Sequence, residues 1–138
     1  MELRADGLEL HLRPAARANI EGWTKVEVEA RVAGFVGRYT AWLQLEDLKR
    51  FEHSLREMQN GLGRESKAAL ASAEPDLFVE LTMNRLGHIT GHYIFESERR
   101  DGVPTTLSGA FDMDQSFLPS LKQEIAALVS QLCAEKSL

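Results

Sequence analysis

The stretch TKVEVEARVAGFVGRYTAWLQLEDLKRFEHSLREMQNGL, residues 24–62, changes its hydrophobic period partway along and so decides the fold class. From Val26 to Val32 apolar residues alternate with charged ones, which is typical of a strand with one face in the core. Residues 33–37, AGFVG, supply two glycines for a reversal. Residues 38–43 then run back as the partner strand, so this part of the stretch predicts a β-hairpin.

The second part of the stretch has a helical period. Apolar side chains recur there at intervals of three and four residues, which predicts an amphipathic helix: Leu45, Leu48, Phe51, Leu55, Met58 and Leu62. The same spacing from Leu118 to Leu132 predicts a second helix near the end of the chain. Asp114 or Ser116 is positioned to cap the first turn of that helix.

Alternating residues predict the remaining strands. These are residues 8–12, 77–84, 88–96 and 105–112, with a short strand near 69–71. Because the connections between them are short, neighbouring strands are expected to be antiparallel. We therefore predict an α+β fold, with a single antiparallel sheet of about six strands and two amphipathic helices packed on one face. No linker or repeat divides the sequence, so residues 1–138 are expected to form a single domain.

The composition indicates a compact protein in a reducing compartment. The 138 residues are 43% hydrophobic and 27% charged, which is near the globular average. No apolar run approaches the roughly 18 residues that cross a bilayer, and the start MELRADGLEL lacks the pattern of a signal peptide. The single cysteine, Cys133, cannot form an intramolecular disulfide. We expect a cytoplasmic protein that does not associate with membranes.

The negative charge is concentrated in the second half of the chain. Residues 1–70 contain 11 basic and 11 acidic residues, whereas residues 71–138 contain 5 and 10. An acidic surface disfavours nucleic acid, whose binding depends on Lys and Arg that neutralise phosphates. It favours a basic protein partner, although a net charge of −5 is also what keeps a small protein soluble.

The most suggestive segment for chemistry is LGHITGHYIF, residues 86–95, which has two histidines four residues apart. Glycine and β-branched residues favour a strand here, and on a strand His88 and His92 stand about 13 Å apart. Two imidazoles that share one zinc must approach to about 3–4 Å, because each Zn–N bond is about 2 Å. The spacing therefore excludes a shared metal, and both histidines are predicted on the solvent side of the sheet.

The remaining motifs predict no catalytic or cofactor site. DMDQS, residues 112–116, lacks the glycine and glutamate of a calcium-binding loop and suits a helix cap. Ser108 lies mid-strand without the motif of a nucleophilic serine, and Cys133 lies in an amphipathic helix. GLG, residues 61–63, follows a helix and not a strand, so it is not a phosphate-binding loop. We expect no catalytic residue, no metal, no cofactor and no enzymatic activity.

Three segments together resemble a known family. They are DLKRFEHSL (47–55), LFVELTMNRLGHITGHYIF (77–95) and LSGAFDMDQSFLPSLKQEI (107–125). Their order and motifs resemble the WapI-type family of small bacterial immunity proteins and related immunity-like domains. Such proteins neutralise wall-associated and contact-dependent nuclease toxins. The resemblance implies a non-catalytic protein that binds a toxin directly, and a basic nuclease domain would suit the acidic second half.

If the protein binds a partner, the contacts are expected on the polar face of the second-half strands. The candidate residues are Glu80, His88, His92, Glu96 and Asp112. Two other functions stay open from the residues alone. One is a small structural or regulatory domain that acts through protein contacts or forms a homodimer through an open sheet edge. The other is a small-ligand binder or enzyme that uses the polar side chains of the same face.

Overall fold

The computed structural model describes residues 1–74, 76–98 and 101–133. Within these residues the chain forms four strands and a helix, and then four more strands and a second helix. The first group is β1 (Glu2–Ala5), β2 (Leu8–Ala16), β3 (Trp23–Val32), β4 (Phe35–Gln44) and α1 (Leu45–Asn60). The second group is β5 (Ser66–Ala71), β6 (Leu77–Met83), β7 (His88–Glu98), β8 (Pro104–Asp114) and α2 (Leu118–Cys133), with a short 3-10 helix (Gln115–Phe117) before α2.

The prediction of a single sheet of about six strands is wrong. The strands form two antiparallel four-stranded sheets, ordered β1-β2-β3-β4 and β5-β6-β7-β8. We call them the first and second sheet. The α+β class itself is confirmed. The hairpin of β3 and β4 and the hairpin of β6 and β7 are both present, as the predicted strands and short connections indicated. The sequence prediction missed β1, which is only four residues long and has no clear alternation.

The reason for two sheets lies in the connection through α1. Short reversals pair consecutive strands, so hairpin signals predict the order within each group of four. A helix of 16 residues separates β4 from β5, and α1 packs beside β5. Alternation specifies which face of a strand is buried, but it does not specify its neighbour across such a connection. The predicted pairing of all the strands into one sheet therefore had no support in the pattern.

The inner faces of both sheets share one buried cluster with both helices. Helix α1 lies beside α2 and β5, and α2 lies beside β1 and β2, so each helix contacts strands of the opposite group. The buried residues of the helices confirm the predicted stripes: Leu48, Phe51, Leu55 and Met58 in α1, and Leu118, Leu121, Ile125, Leu128 and Leu132 in α2. Leu62 lies beyond the end of α1 and is exposed.

Two aromatic rings cover glycines on the inner face of the second sheet. Gly91 is paired with Phe111 across β7 and β8, and a methyl group added at Gly91 would overlap the Phe111 ring. Gly109 is likewise covered by Tyr93, which lies opposite it. Packing of this kind fills the space that a glycine leaves in a strand. It explains why a glycine is present in the middle of the strand that carries the two histidines.

The two sheets meet at two places. At the first, Asp6 and Asp112 exchange backbone hydrogen bonds of 2.9 Å in each direction. At the second, the carbonyl oxygen of Asp76 accepts the Tyr39 hydroxyl at 2.6 Å and the backbone N–H of Glu96 at 3.1 Å. The first meeting point joins the end of β1 to β8, and the second joins β4 to β7. Both meeting points lie at the margin of the outer face of the second sheet.

Candidate partner-binding surfaces

The outer face of the second sheet is an uncovered surface. Along β7, burial alternates from exposed His88 to buried Ile89 and continues in this way to Phe95. This confirms the predicted sides of the strand, with the histidines outward and the aromatic residues inward. We use the name second-sheet face for the outward side chains of β6, β7 and β8, which are Phe78, Glu80, Thr82, His88, Thr90, His92, Ile94, Glu96, Thr106, Ser108, Ala110, Asp112 and Asp114.

All five residues predicted as contacts lie on the second-sheet face. Glu80 is directly opposite His92 across β6 and β7. His88, His92 and Glu96 follow one another at every fourth residue along β7. Asp112 is opposite Thr90, which lies between the two histidines. The register therefore brings the five side chains onto one surface, while their contact with a partner stays a prediction.

His88 and Asp112 are in contact at one end of this face. The Nε2 atom of His88 lies 3.1 Å from Oδ1 of Asp112, and the two side chains are 56% and 57% exposed. A side-chain contact so open to solvent contributes little to stability, on the order of 0–1 kcal/mol. Both side chains are consequently available to a partner at small cost to the fold.

The two histidines are too far apart to share one metal ion. His88 and His92 lie four residues apart on one strand, and this spacing keeps their rings too far apart to share an ion. Within residues 1–74, 76–98 and 101–133, no three or more His, Cys, Asp or Glu side chains form an arrangement that could hold a metal.

Two carboxylates on the first sheet's outer face, Glu29 and Glu2, pair with arginines of the same face. Glu29 accepts hydrogen bonds from Arg38 at 2.9 Å and Arg31 at 3.1 Å, and these bonds lower the pKa of its carboxyl group to about 2. Arg4 likewise pairs with Glu2 at 2.8 Å. Among the described residues of the second-sheet face, the carboxylates have no Arg or Lys partner. Within residues 1–74, 76–98 and 101–133, the carboxylates of the second-sheet face are thus less compensated by arginine and lysine than Glu29 and Glu2 of the first sheet.

Asp114 has a local structural role at the edge of the second-sheet face. Its side chain accepts the backbone N–H of Ser116 at 3.0 Å and caps the short 3-10 helix before α2, whereas the sequence predicted Asp114 or Ser116 as the cap of α2 itself. Hydrogen bonds from Ser116 lower the pKa of the Asp114 carboxyl group, and the nearby His88 adds to this effect. Asp114 is therefore ionised at neutral pH and adds to the charge of the face.

A groove lined by both tryptophans lies where β4 meets the second sheet. It consists of two adjoining depressions of about 370 and 400 Å³, which share Trp42, Glu74, Asp76 and Glu98. Trp23 lines one depression, and Glu96 lines the other. We call this feature the Trp groove. It combines flat aromatic surface with four carboxylates.

Another depression, of about 500 Å³, adjoins the meeting point of β1 and β8. His88 and Asp112 line it together with Phe117, whose ring is half exposed. An exposed aromatic ring beside a sheet face is typical of residues that anchor a partner. This depression extends the second-sheet face beyond its predicted contacts.

The sequence predicted the second-sheet face but not the Trp groove. The face follows from alternation along three strands joined by short turns, which a sequence displays directly. The groove brings Trp23 and Trp42 together with Glu74 and Glu98, which are far from them in sequence. Both tryptophans belong to the first hairpin, β3 and β4, so their proximity follows from local pairing. The acidic residues opposite them reach the groove only because of the way in which the two sheets meet.

Comparison with protein families matches residues 2–133 to the Immunity protein WapI-like family. The chain belongs to this family, and the resemblance seen in its three segments is confirmed. No protein of curated function matches the chain.

Helices α1 and α2 are 16 residues each, and in the described part of the chain no helix is long and apolar enough to cross a membrane.

Proposed function

We propose that this protein is a non-catalytic immunity protein that neutralises a toxin by binding it directly through the second-sheet face. Membership of the WapI-like immunity family over residues 2–133 is the observation that carries the proposal. The toxin is a basic, nuclease-like domain, and binding takes place in the cytoplasm of the cell that makes the immunity protein. No residue of this chain needs to perform chemistry, because occupying the surface of the toxin is sufficient to inhibit it.

The composition of the second-sheet face supports a contact with a basic partner. Ile94 is 44% exposed near the middle of β7, next to half-buried Phe78. Glu80 lies two residues from Phe78 along β6, Glu96 lies two residues from Ile94 along β7, and Asp112 lies farther along β8. An apolar centre within a polar rim is the usual anatomy of a protein interface. The negative charge would steer a basic toxin toward the face and speed association.

The size of the second-sheet face also supports this proposal. Strand β7 has 11 residues, which corresponds to a length of roughly 36 Å. Two spacings between the three strands of the face add a width of about 10 Å, so the face offers at most on the order of 350 Å². A standard interface buries about 800 Å² on each partner. The face supplies close to half of such a contact, and the depressions that adjoin it extend the surface open to the toxin.

The test uses the toxin domain encoded next to this protein. Purified wild-type protein is titrated into that domain by calorimetry, and cleavage of plasmid DNA measures inhibition. We expect a 1:1 complex and loss of cleavage. The variant Glu80→Lys with Asp112→Lys should weaken binding by at least about tenfold, because charge reversal at a complementary interface costs more than 1.4 kcal/mol.

A matched control carries the same change in net charge elsewhere. The variant Glu27→Lys with Glu57→Lys alters one exposed residue on the first sheet and one on α1. Its affinity should stay close to that of the wild type, provided that circular dichroism shows both variants folded. Absence of any complex with the wild type would refute toxin binding. Equal weakening by the two variants would refute the second-sheet face as the contact surface.

A further inference from the structure

The Trp groove has an exposed aromatic wall. Trp42 lies on the outer face of β4, and 46% of its surface is exposed. Trp23 lies near it on the same face, because Lys25 is the residue paired with Trp42 and Trp23 precedes Lys25 by two positions. Two indole side chains at the edge of a sheet offer flat surface that costs little entropy to immobilise. Such surface suits a flat or cationic group of a partner.

Asp76 holds the acidic side of the groove against this wall. Its carboxylate accepts the backbone N–H of Trp42 at 3.2 Å, and its carbonyl oxygen accepts the Tyr39 hydroxyl at 2.6 Å. The same carbonyl also accepts the backbone N–H of Glu96. The segment containing Asp76 is therefore bonded to both sheets. These bonds hold Asp76 in place before any partner arrives, which reduces the entropy lost on binding beside it.

The carboxylates of the groove have capacity for a cation. Among the described residues, neither Glu74 nor Glu98 forms a salt bridge. Lys25 lies beside the aromatic wall, and its Nζ is 5.3 Å from the centre of the Trp42 ring. This distance is within the range of a cation–π contact. The Trp42 indole thus already attracts a positive group, while Glu74 and Glu98 have no partner of that charge in the part of the chain that the structure describes.

An arginine side chain fits this combination of groups better than any other natural side chain. Its planar guanidinium stacks on aromatic rings, and it donates paired hydrogen bonds to a carboxylate. A lysine ammonium is a compact, strongly hydrated charge that lacks both geometries. Depressions of about 370 and 400 Å³ are also within the range of binding clefts.

We propose that the Trp groove binds an arginine side chain of the toxin, stacked on Trp42 and hydrogen-bonded to Glu74 or Glu98. This inference rests on the proposed immunity function and adds a second contact to it. Glu96 belongs both to the second-sheet face and to the lining of the groove, so one partner can cover the two surfaces at once. The groove then fixes the position of the toxin on the face.

The first experiment measures the complex. Toxin affinity is determined for Trp42→Leu and for Glu74→Gln with Glu98→Gln, each checked for folding by circular dichroism. Both variants should bind at least about tenfold more weakly, as expected of a buried aromatic or charged anchor. The control variants are Phe35→Leu, which changes another exposed aromatic residue, and Glu27→Gln with Glu57→Gln. The control variants should bind as the wild type does.

The second experiment works without the toxin. The chain contains two tryptophans, and both line the groove, so 5-fluorotryptophan labelling gives ¹⁹F resonances that report on this groove alone. Acetyl-arginine amide should shift these resonances, whereas the neutral isostere acetyl-citrulline amide at the same concentration and ionic strength should not. Glu74→Gln with Glu98→Gln should abolish the shift.

The outcomes separate this inference from the proposed function. Toxin binding with unchanged affinity in the groove variants would overturn the arginine site and leave the immunity function intact. Failure of the wild type to bind toxin would overturn the immunity function, while a shift with the arginine compound alone would still support the site. Equal shifts with both compounds, or no shift with either, would overturn the arginine site.

Discussion

The hydroxyl group of Tyr39 lies 2.6 Å from the backbone carbonyl oxygen of Asp76 and so joins the two sheets. Tyr39 belongs to β4 of the first sheet, and the same carbonyl accepts a backbone N–H from β7 of the second sheet. One oxygen atom therefore bonds to both sheets at the margin of the Trp groove. The stability of this meeting point can be measured separately from any function.

Replacing Tyr39 with phenylalanine should lower the free energy of unfolding by about 1 kcal/mol, because one hydrogen bond is lost while the ring still packs. Urea denaturation followed by circular dichroism measures this change. Tyr93→Phe is the matched control, since no hydrogen bond from the Tyr93 hydroxyl is present among the described residues. An equal loss of stability in both variants would show that the bond to Asp76 is not responsible.

The same tyrosine should make the fold sensitive to alkali. Burial raises the pKa of Tyr39 well above its ordinary value, and the negative charge of Asp76 raises the pKa further. Above pH 10 the unfolded chain releases this proton while the folded chain retains it, so the unfolded state is favoured. The contribution is therefore complete below about pH 10 and declines as the pH rises above that value.

The measurement for this prediction is the free energy of unfolding between pH 8 and pH 11. In the wild type it should fall more steeply above pH 10 than in Tyr39→Phe, which lacks the titrating group. Parallel curves for the two proteins would contradict the raised pKa as the cause.

The Tyr39 contact also shows what the sequence could and could not predict. Alternation placed His88 and His92 on the outer side of β7 and Ile89 on the inner side, because successive residues of a strand must point to opposite faces. The hairpins were equally predictable, since short reversals leave few ways to pair. These features rest on local geometry and could be derived from a few adjacent residues.

The division into two sheets depends on contacts that no local pattern records. Asp6 bonds to Asp112, and Tyr39 bonds to Asp76, over sequence separations that a repeat of two or 3.6 residues does not encode. The position of β5 beside α1 likewise depends on how the helix packs and not on the alternation within β5. The Trp groove arises at such a contact, and for this reason it was not predicted.

The glycine inside the two-histidine strand should not tolerate even a methyl group. Gly91→Ala would place the added carbon within the Phe111 ring, so the core must shift. Overpacking of this kind costs about 1–3 kcal/mol, which thermal or urea unfolding detects. Gly37→Ala is the matched control in another strand, because nothing lies within 4 Å of a carbon added there. Equal stability of the two variants would contradict the tight packing of Phe111 on Gly91.

The two groups of elements should unfold together as one cooperative unit, as expected of a single domain. Helix α1 follows the first sheet in the chain but packs beside β5 of the second, and α2 follows the second sheet but packs beside β1 and β2 of the first. Unfolding of either group of elements therefore removes packing from the other group. Both tryptophans belong to the first sheet, so their fluorescence reports its unfolding.

Leu81→Ala, in the buried face of β6, tests this coupling from the opposite sheet. It should lower the stability reported by tryptophan fluorescence by about 2–5 kcal/mol, the usual cost of such a cavity. Amide exchange of β7 should report the same loss at the same urea concentrations, since a single cooperative unit has one transition for all probes. If the fluorescence transition were unchanged while β7 alone became less stable, the two sheets would unfold independently and the chain would contain two units.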